Sequence, residues 1–138
     1  MASSVATEPM RVVISHDGDV VTARQVGREM AKQSGFYGSD LTLIATAISE
    51  IARNIVSYAQ SGELIFSLLE QGARRGLMVV ARDEGPGIPD IELAMRDGFS
   101  TGKSLGLGLP GAKRLMDEFE IHSEIGKGTT ITMRKWAR

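Results

Sequence analysis

Three clusters of polar residues and glycines have the residue types and spacing for chemistry on a phosphorylated ligand. The first is Glu50 and Asn54, which are four positions apart in a segment of helical periodicity and therefore project from one helix face. The carboxamide oxygen of Asn54 suits Mg²⁺, and the Glu50 carboxylate can polarise a hydroxyl group or a water molecule. Taken alone, such a pair is more typical of a solvated helix surface.

The second cluster, Asp83-Glu84-Gly85-Pro86-Gly87, follows an apolar run that predicts a β-strand. An aspartate at a strand end, here Asp83, can accept a hydrogen bond from an exocyclic amine. Gly85 and Gly87 would let the backbone approach a flat ring closely. Glycine and proline also mark ordinary surface turns, which is the more frequent meaning of such a segment.

The third cluster is GFSTGKSLGLGLPG, residues 98–111, which holds five glycines. A Walker A loop ending at Lys103 would need a glycine at position 97, which is Asp97, so that motif is excluded. Residues 106–111 satisfy the dinucleotide pattern G-x-G-x-x-G, but no buried strand precedes them. A glycine-rich segment that leads into a helix predicts a loop ordered by phosphate at the helix N-terminus, although a plain flexible linker has the same composition.

The elements that must position these clusters follow the order βααββααββ, which predicts a two-layer α/β sandwich with helices on one face of a mixed, mostly antiparallel sheet. Asp19 is predicted to cap the first helix and Ser39-Asp40 the second, whose apolar stripe is a core face. Helices are predicted at residues 20–34, 41–55, 90–96 and 109–119, and strands at 10–14, 63–70, 77–82, 120–125 and 129–136, with hairpin loops at 71–76 and 126–128.

The composition of the chain fits one globular domain. It has 138 residues, of which 42% are hydrophobic and 24% charged, so we expect a flexible lead-in over residues 1–9 and a single domain over 10–138. A net charge of −1 argues against nucleic-acid binding, and no apolar run approaches the ~18 residues of a membrane span. Without cysteine or a secretory signal, the expected compartment is the cytoplasm.

The order and separation of the three clusters resemble the N, G1 and G2 boxes of the GHKL superfamily of ATPases and kinases. Within it, AISEIARNIVSYAQSGE, DEGPGIPDIELAMRDGFST and GLGLPGAKRLMDEFEIHSEIGKGTTITMRKW are similar to the RsbT switch kinases, over about residues 11–138. The resemblance implies the Bergerat fold, in which ATP lies between the helices and the sheet. It also implies that the glycine-rich segment is an ATP lid.

The resemblance further implies roles for individual residues. Asn54 would ligate the Mg²⁺ that bridges the phosphates, and Glu50 would be the base or the orienting group for the attacking hydroxyl. Asp83 would bind the adenine amine, and Gly85 and Gly87 would give the ring access.

The lid implies a second group of phosphate contacts. Gly106 and Gly108 would present backbone donors to the phosphates, and Thr101 is a further candidate for a phosphate contact. Lys103 is either a contact of the β- or γ-phosphate or a solvated lysine. Arg53 departs from the simplest N box and is expected to point away from the Glu50/Asn54 face, toward a partner or solvent.

The function implied by the resemblance is that of a serine/threonine kinase with ATP and Mg²⁺ as cofactors. Its partners would be STAS-domain proteins of a bacterial stressosome, as substrates, and a PP2C-type phosphatase activated by partner switching, with no nucleic acid and no membrane. The alternative is an ATP-gated binding switch or an anti-sigma factor of the same fold. Glu50 favours the enzyme, because a protein that only binds would tolerate its loss.

Overall fold

The protein is known from a computed structural model, and the structure describes residues 4–5, 8–89, 91–96 and 108–137. The strands are β1 (Ser4–Val5), β2 (Met10–Ile14), β3 (Gly62–Gln71), β4 (Arg74–Asp83), β5 (Glu118–Glu124) and β6 (Gly128–Trp136). The helices are α1 (Asp17–Gln33), α2 (Ser39–Tyr58), α3 (Ile91–Ala94) and α4 (Gly108–Leu115). No helix in these ranges is long and apolar enough to cross a membrane.

The strands form one sheet in which every pairing among the described strands is antiparallel. Along the sheet the order is β1, β3, β4, β6, β5, and β2 also pairs with β3. Two residues of the predicted lead-in, Ser4 and Val5, form β1 opposite Glu70 and Leu69. The predicted α/β sandwich is confirmed, with one strand more than expected, but the described strands form no parallel pair, so the sheet is antiparallel here and not mixed.

The hydrophobic core lies between the helices and one face of this sheet. Along β6, Thr129, Ile131, Met133 and Lys135 are buried and alternate with partly exposed residues, as a strand with one covered face requires. The helices contribute their apolar stripes to the same cluster. Its fully buried larger side chains include Ile14, Ile44, Ile48, Ile51, Leu64, Phe66, Leu77, Val79 and Met133.

Helix α1 begins earlier than predicted because a histidine caps it. His16 is the N-cap, and its Nδ1 accepts a hydrogen bond of 3.1 Å from the backbone N–H of Gly18. Asp19, the predicted cap, is instead the third residue of the helix and accepts hydrogen bonds from the backbone N–H groups of Ser15 (2.9 Å) and His16 (3.3 Å). The two side chains form a capping box, with histidine in the position where serine or threonine is usual.

Helix α2 has the predicted apolar face but not the predicted cap. All seven residues of the predicted stripe are buried: Leu41, Ile44, Ala45, Ile48, Ile51, Ala52 and Ile55. The N-cap is Gly38, and no side chain bonds to the first turn, so the prediction of Ser39-Asp40 as the cap is wrong.

The turn between β3 and β4 is tighter than predicted. Gln71 pairs with Arg74, which leaves only Gly72 and Ala73 as the turn, and Gly72 has the positive φ of 60° that such turns favour.

Helix α4 is shorter than predicted, because β5 begins at Glu118. In this strand Phe119 and Ile121 pair with Met133 and Ile131.

Glu63 connects three strands on the sheet face opposite the helices. Its carboxylate pairs with Arg82 of β4 at 2.9 Å and also with Arg11 of β2. The hydrogen bond from Arg82 is the largest cause of a lowered pKa of Glu63, and Arg11 adds to it against the opposing effect of desolvation. The pair therefore stabilises the fold above the ordinary glutamate pKa of 4.5, and that stabilisation is lost as the pH falls through the lowered value.

We predict that Glu63→Gln removes this pH-dependent stabilisation. The free energy of unfolding of the variant should be lower than that of the original chain at pH 7, and the difference should be smaller at pH 3, because the contribution of the carboxylate declines as the pH falls below 4.5. Urea denaturation at the two pH values measures this. A difference that stays constant between pH 7 and pH 3 would contradict the prediction.

Candidate functional site

A cavity of about 340 Å³ lies between α2, the end of β4 and the first turn of α4. A volume of this size falls in the range of small-molecule sites in proteins. Among the described residues, its lining comprises Glu50, Arg53, Asn54, Ser57, Tyr58, Ala59, Asp83, Pro86, Gly87, Ile88, Pro89, Ala94, Gly108, Leu109, Pro110 and Thr129. Residues of the first two predicted clusters and the end of the third therefore meet at one cavity.

Helix α2 supplies a polar stripe to this cavity, next to the stripe of buried isoleucines that packs in the core. Glu50 and Asn54 line the cavity together, as their spacing predicts. Arg53, Ser57 and Tyr58 belong to the same stripe, so the expectation that Arg53 points away is wrong. Three residues advance a helix by 300°, which leaves Arg53 only about 60° from the direction of Glu50.

Glu50 is the most shielded polar group of the stripe. Only 3% of its surface is exposed, although its side chain borders the cavity. Asn54, one turn further along the helix, is partly exposed. A carboxylate kept from bulk water beside a more accessible amide can receive a proton from a ligand bound in the cavity, while the amide oxygen coordinates a cation there.

Asp83 is the last residue of β4, as predicted, and lies beside the start of β6. It pairs with Thr129 across the β4–β6 ladder, and both residues line the cavity. One carboxylate oxygen, Oδ1, accepts a hydrogen bond of 2.9 Å from the backbone N–H of Gly85. This bond orients the carboxylate, whose other oxygen can accept a hydrogen bond from a ligand amine.

The glycines after Asp83 fit the loop against its neighbours. A Cβ atom on Gly85 would lie 2.6 Å from Cβ of Ala59 at the end of α2. Gly87 has a φ of 80°, and a Cβ there would lie 2.4 Å from the carbonyl oxygen of Glu124. Of the two, Gly87 borders the cavity. A side chain at either position would collide with these neighbouring atoms, so the packing of the loop favours glycine at both positions whether or not a ligand is bound.

Gly108 opens helix α4 at the other side of the cavity. It is the first residue of the helix, has a φ of 71°, and lines the cavity together with Leu109 and Pro110. Pro110 has no backbone N–H, so the N–H groups of this first turn that can bind an anion include those of Leu109 and Gly111. The other predicted lid contacts, Thr101, Lys103 and Gly106, lie outside the residues that the structure describes.

Thr129 is a cavity residue that the sequence did not reveal. It is buried, and its Oγ1 lies 2.9 Å from the Oγ of Ser123, which also accepts a hydrogen bond of 2.8 Å from the backbone N–H of Ile88. These bonds connect the loop after Asp83 to β5 and β6. The alternation TTITM places Thr129 on the same face as Ile131, but its position beside Asp83 follows only from the strand register.

The side chains at the cavity suit a metal ion that is coordinated mainly by a bound small molecule and water, with few ligands from the protein. Within the described ranges there is no group of three or more histidine, cysteine, aspartate or glutamate residues that could hold a metal. Asn54 and Glu50 offer one amide and one carboxylate at the cavity. This sparse donor set suits Mg²⁺, which is commonly bound by one or two protein oxygens together with substrate phosphates and water.

Comparisons with known proteins agree with this arrangement. Residues 14–135 match the family described as "Histidine kinase-like ATPase domain". The chain is 51% identical to the serine/threonine-protein kinase RsbT of Bacillus subtilis over 127 residues, which is 92% of this chain and 96% of that protein. It is also 35% identical to the anti-sigma F factor of Geobacillus stearothermophilus over 104 residues, 70% of this chain and 69% of that protein. The predicted resemblance is confirmed.

We predict that Asp83→Asn weakens adenine nucleotide binding by about tenfold or more. The substitution replaces a carboxylate oxygen, which accepts a hydrogen bond, with an NH2 group, which cannot accept one from the adenine amine. The amide oxygen can still accept the hydrogen bond from Gly85, so the loop should keep its shape. Isothermal titration with Mg-ADP measures the effect. Asp17→Asn, at an exposed position on α1 outside the cavity lining, is the matched control. Equal affinities for the two variants would contradict a role of Asp83 in binding.

Proposed function

We propose that this chain, which belongs to the histidine kinase-like ATPase domain family and within it to the relatives of the kinase RsbT, is a serine/threonine protein kinase that uses Mg-ATP. The observation that carries the proposal is that Glu50, Asn54 and Asp83 border one cavity. The high identity to a protein named as a kinase supports the same conclusion.

Adenine recognition is assigned to the β4 end of the cavity. The free carboxylate oxygen of Asp83 would accept a hydrogen bond from the adenine amine, and Thr129 offers a hydroxyl next to it. Pro86, Ile88 and Pro89 give this end an apolar wall that suits a flat ring. Gly87 would let the ring approach the backbone.

The phosphates are assigned to the space between α2 and the first turn of α4. Asn54 would ligate Mg²⁺, which would neutralise charge on the phosphates during transfer. The amide groups at the start of α4, beginning at Gly108, would donate hydrogen bonds to phosphate oxygens. Contacts from Thr101, Lys103 and Gly106 remain predictions of the sequence.

Glu50 is assigned to the acceptor hydroxyl. As the serine or threonine oxygen of the substrate bonds to the γ-phosphorus, its proton passes to the Glu50 carboxylate. The bond from the γ-phosphorus to the bridging oxygen breaks, and its electron pair leaves with ADP. The burial of Glu50 beside the cavity suits this role, because water does not compete for the proton.

The protein substrate is proposed to be a STAS-domain protein of a stressosome-type complex in the bacterial cytoplasm. After release from that complex, the chain would activate a PP2C-type phosphatase. These partners are implied by the resemblance to the RsbT switch kinases.

A second candidate is an ATP-gated binding protein or anti-sigma factor, favoured by the 35% identity to an anti-sigma F factor. In that case nucleotide would control partner contact and little phosphate would be transferred. The kinase is preferred because Glu50 is present in the cavity, and binding alone does not require a buried carboxylate there.

We predict that the chain labels a STAS-domain partner when it is incubated with γ-labelled Mg-ATP, and that the label is on serine or threonine. Phosphopeptide mass spectrometry identifies the acceptor. A stable complex with the partner in the absence of any label would exclude the kinase and favour the binding protein.

We also predict that Glu50→Gln and Asn54→Ala have different effects. Glu50→Gln keeps the size of the side chain and should retain nucleotide binding, while the rate of transfer falls by about a hundredfold or more because the base is lost. Asn54→Ala should weaken binding of Mg-nucleotide and reduce its dependence on Mg²⁺. Single-turnover kinetics and titrations with and without Mg²⁺ separate the two. Full transfer activity in Glu50→Gln would remove Glu50 from the base role.

A further inference from the structure

We propose that Arg53 contacts the γ-phosphoryl group of bound ATP and stabilises its charge during transfer. The inference rests on the proposed function and adds a residue that the N-box pattern does not contain. The observation that prompts it is that Arg53 lines the cavity together with Glu50 and Asn54.

The first argument is charge balance in the cavity. Glu50 and Asp83 are acidic, and Arg53 carries the one positive charge among the described residues of the lining. A nucleotide triphosphate would bring several more negative charges into this space. A single Mg²⁺ held by Asn54 does not compensate all of them, so a cation beside the phosphates lowers the free energy of binding.

The second argument is that Arg53 forms no ion pair with any carboxylate in the part of the chain that the structure describes. An arginine three residues after a glutamate on a helix commonly pairs with it. Here Glu50 and Arg53 form no ion pair with each other, and no other described carboxylate pairs with Arg53. A partly buried arginine without an acidic partner, bordering a cavity, is suited to an anionic ligand.

The third argument is the position of Arg53 along α2. The adenine end of the cavity is next to Ala59, which touches the loop after Asp83. Arg53 is six residues before Ala59, which is about 9 Å along the helix axis. It is adjacent to Asn54, the proposed metal ligand, and within one turn of Glu50, the proposed base. Arg53 therefore belongs to the part of α2 that lines the proposed phosphate end of the cavity.

The chemistry of arginine fits this position. A guanidinium can donate two parallel hydrogen bonds to phosphate oxygens and keeps its charge at every physiological pH. Charge on the transferred group is a main target of catalysis in phosphoryl transfer. ADP lacks the γ-phosphoryl group, so Arg53 should also favour ATP over ADP.

The test compares Arg53→Gln and Arg53→Lys with Arg28→Gln, a control that removes one charge from an exposed position of α1. Affinities for Mg-ATP and Mg-ADP and the rate of transfer to a STAS partner are measured for each variant, after thermal unfolding has shown that it is folded. Arg53→Gln should weaken ATP binding by about tenfold more than ADP binding and slow transfer by about a hundredfold. The ATP affinity and the transfer rate of Arg53→Lys should lie between those of Arg53→Gln and the original chain. Arg28→Gln should have the same affinities and transfer rate as the original chain.

The outcomes distinguish this inference from the proposed function. If the original chain binds and transfers but Arg53→Gln behaves like Arg28→Gln, the inference is overturned and the kinase stands. Equal losses of ATP and ADP affinity, or a rise only in the KM for the protein partner, also overturn it. If the original chain binds no ATP, the proposed function fails and this inference fails with it.

Discussion

The packing of helix α2 on the sheet is the constraint on which the site depends. Ile44, Ile48, Ile51 and Ile55 recur on one side of this helix and are almost completely buried. Rotating the helix about its axis would expose them, at about 1.5–3 kcal/mol for each side chain. Their burial therefore determines which residues face the cavity, and it places the stripe from Glu50 to Tyr58 opposite the end of β4. The chemistry of the stripe follows from the hydrophobic packing behind it.

The second half of the site is positioned by backbone contacts of the loop after Asp83. The backbone N–H of Gly126 donates to the carbonyl of Pro86 at 2.8 Å, and that of Ile88 donates to Ser123. Gly85 packs on Ala59, so the same loop also touches the end of α2. The carboxylate of Asp83 and the polar stripe are thus held by one connected set of contacts, which fixes the distance between the two sides of the cavity.

Much of this arrangement could be predicted from the sequence where the signal is periodic. The apolar stripe of α2, the shared face of Glu50 and Asn54, and the end of β4 at Asp83 all follow from spacing along the chain. The predictions were wrong where one side chain or a short turn decides the outcome. His16 caps α1 in place of Asp19, and a two-residue turn replaces the predicted loop between β3 and β4.

Features that depend on distant residues could not be read from local patterns. Thr129 reaches the cavity because it is in register with Asp83, and no local pattern specifies that register. Arg53 was expected to point away from the face of Glu50 and Asn54, although Glu50, three residues earlier, is only about 60° from it around the helix. The most direct test of the account is a crystal structure with Mg²⁺ and a non-hydrolysable ATP analogue. We predict the adenine amine on the carboxylate of Asp83 and the metal on the side-chain oxygen of Asn54, and a nucleotide bound away from both residues would contradict the account.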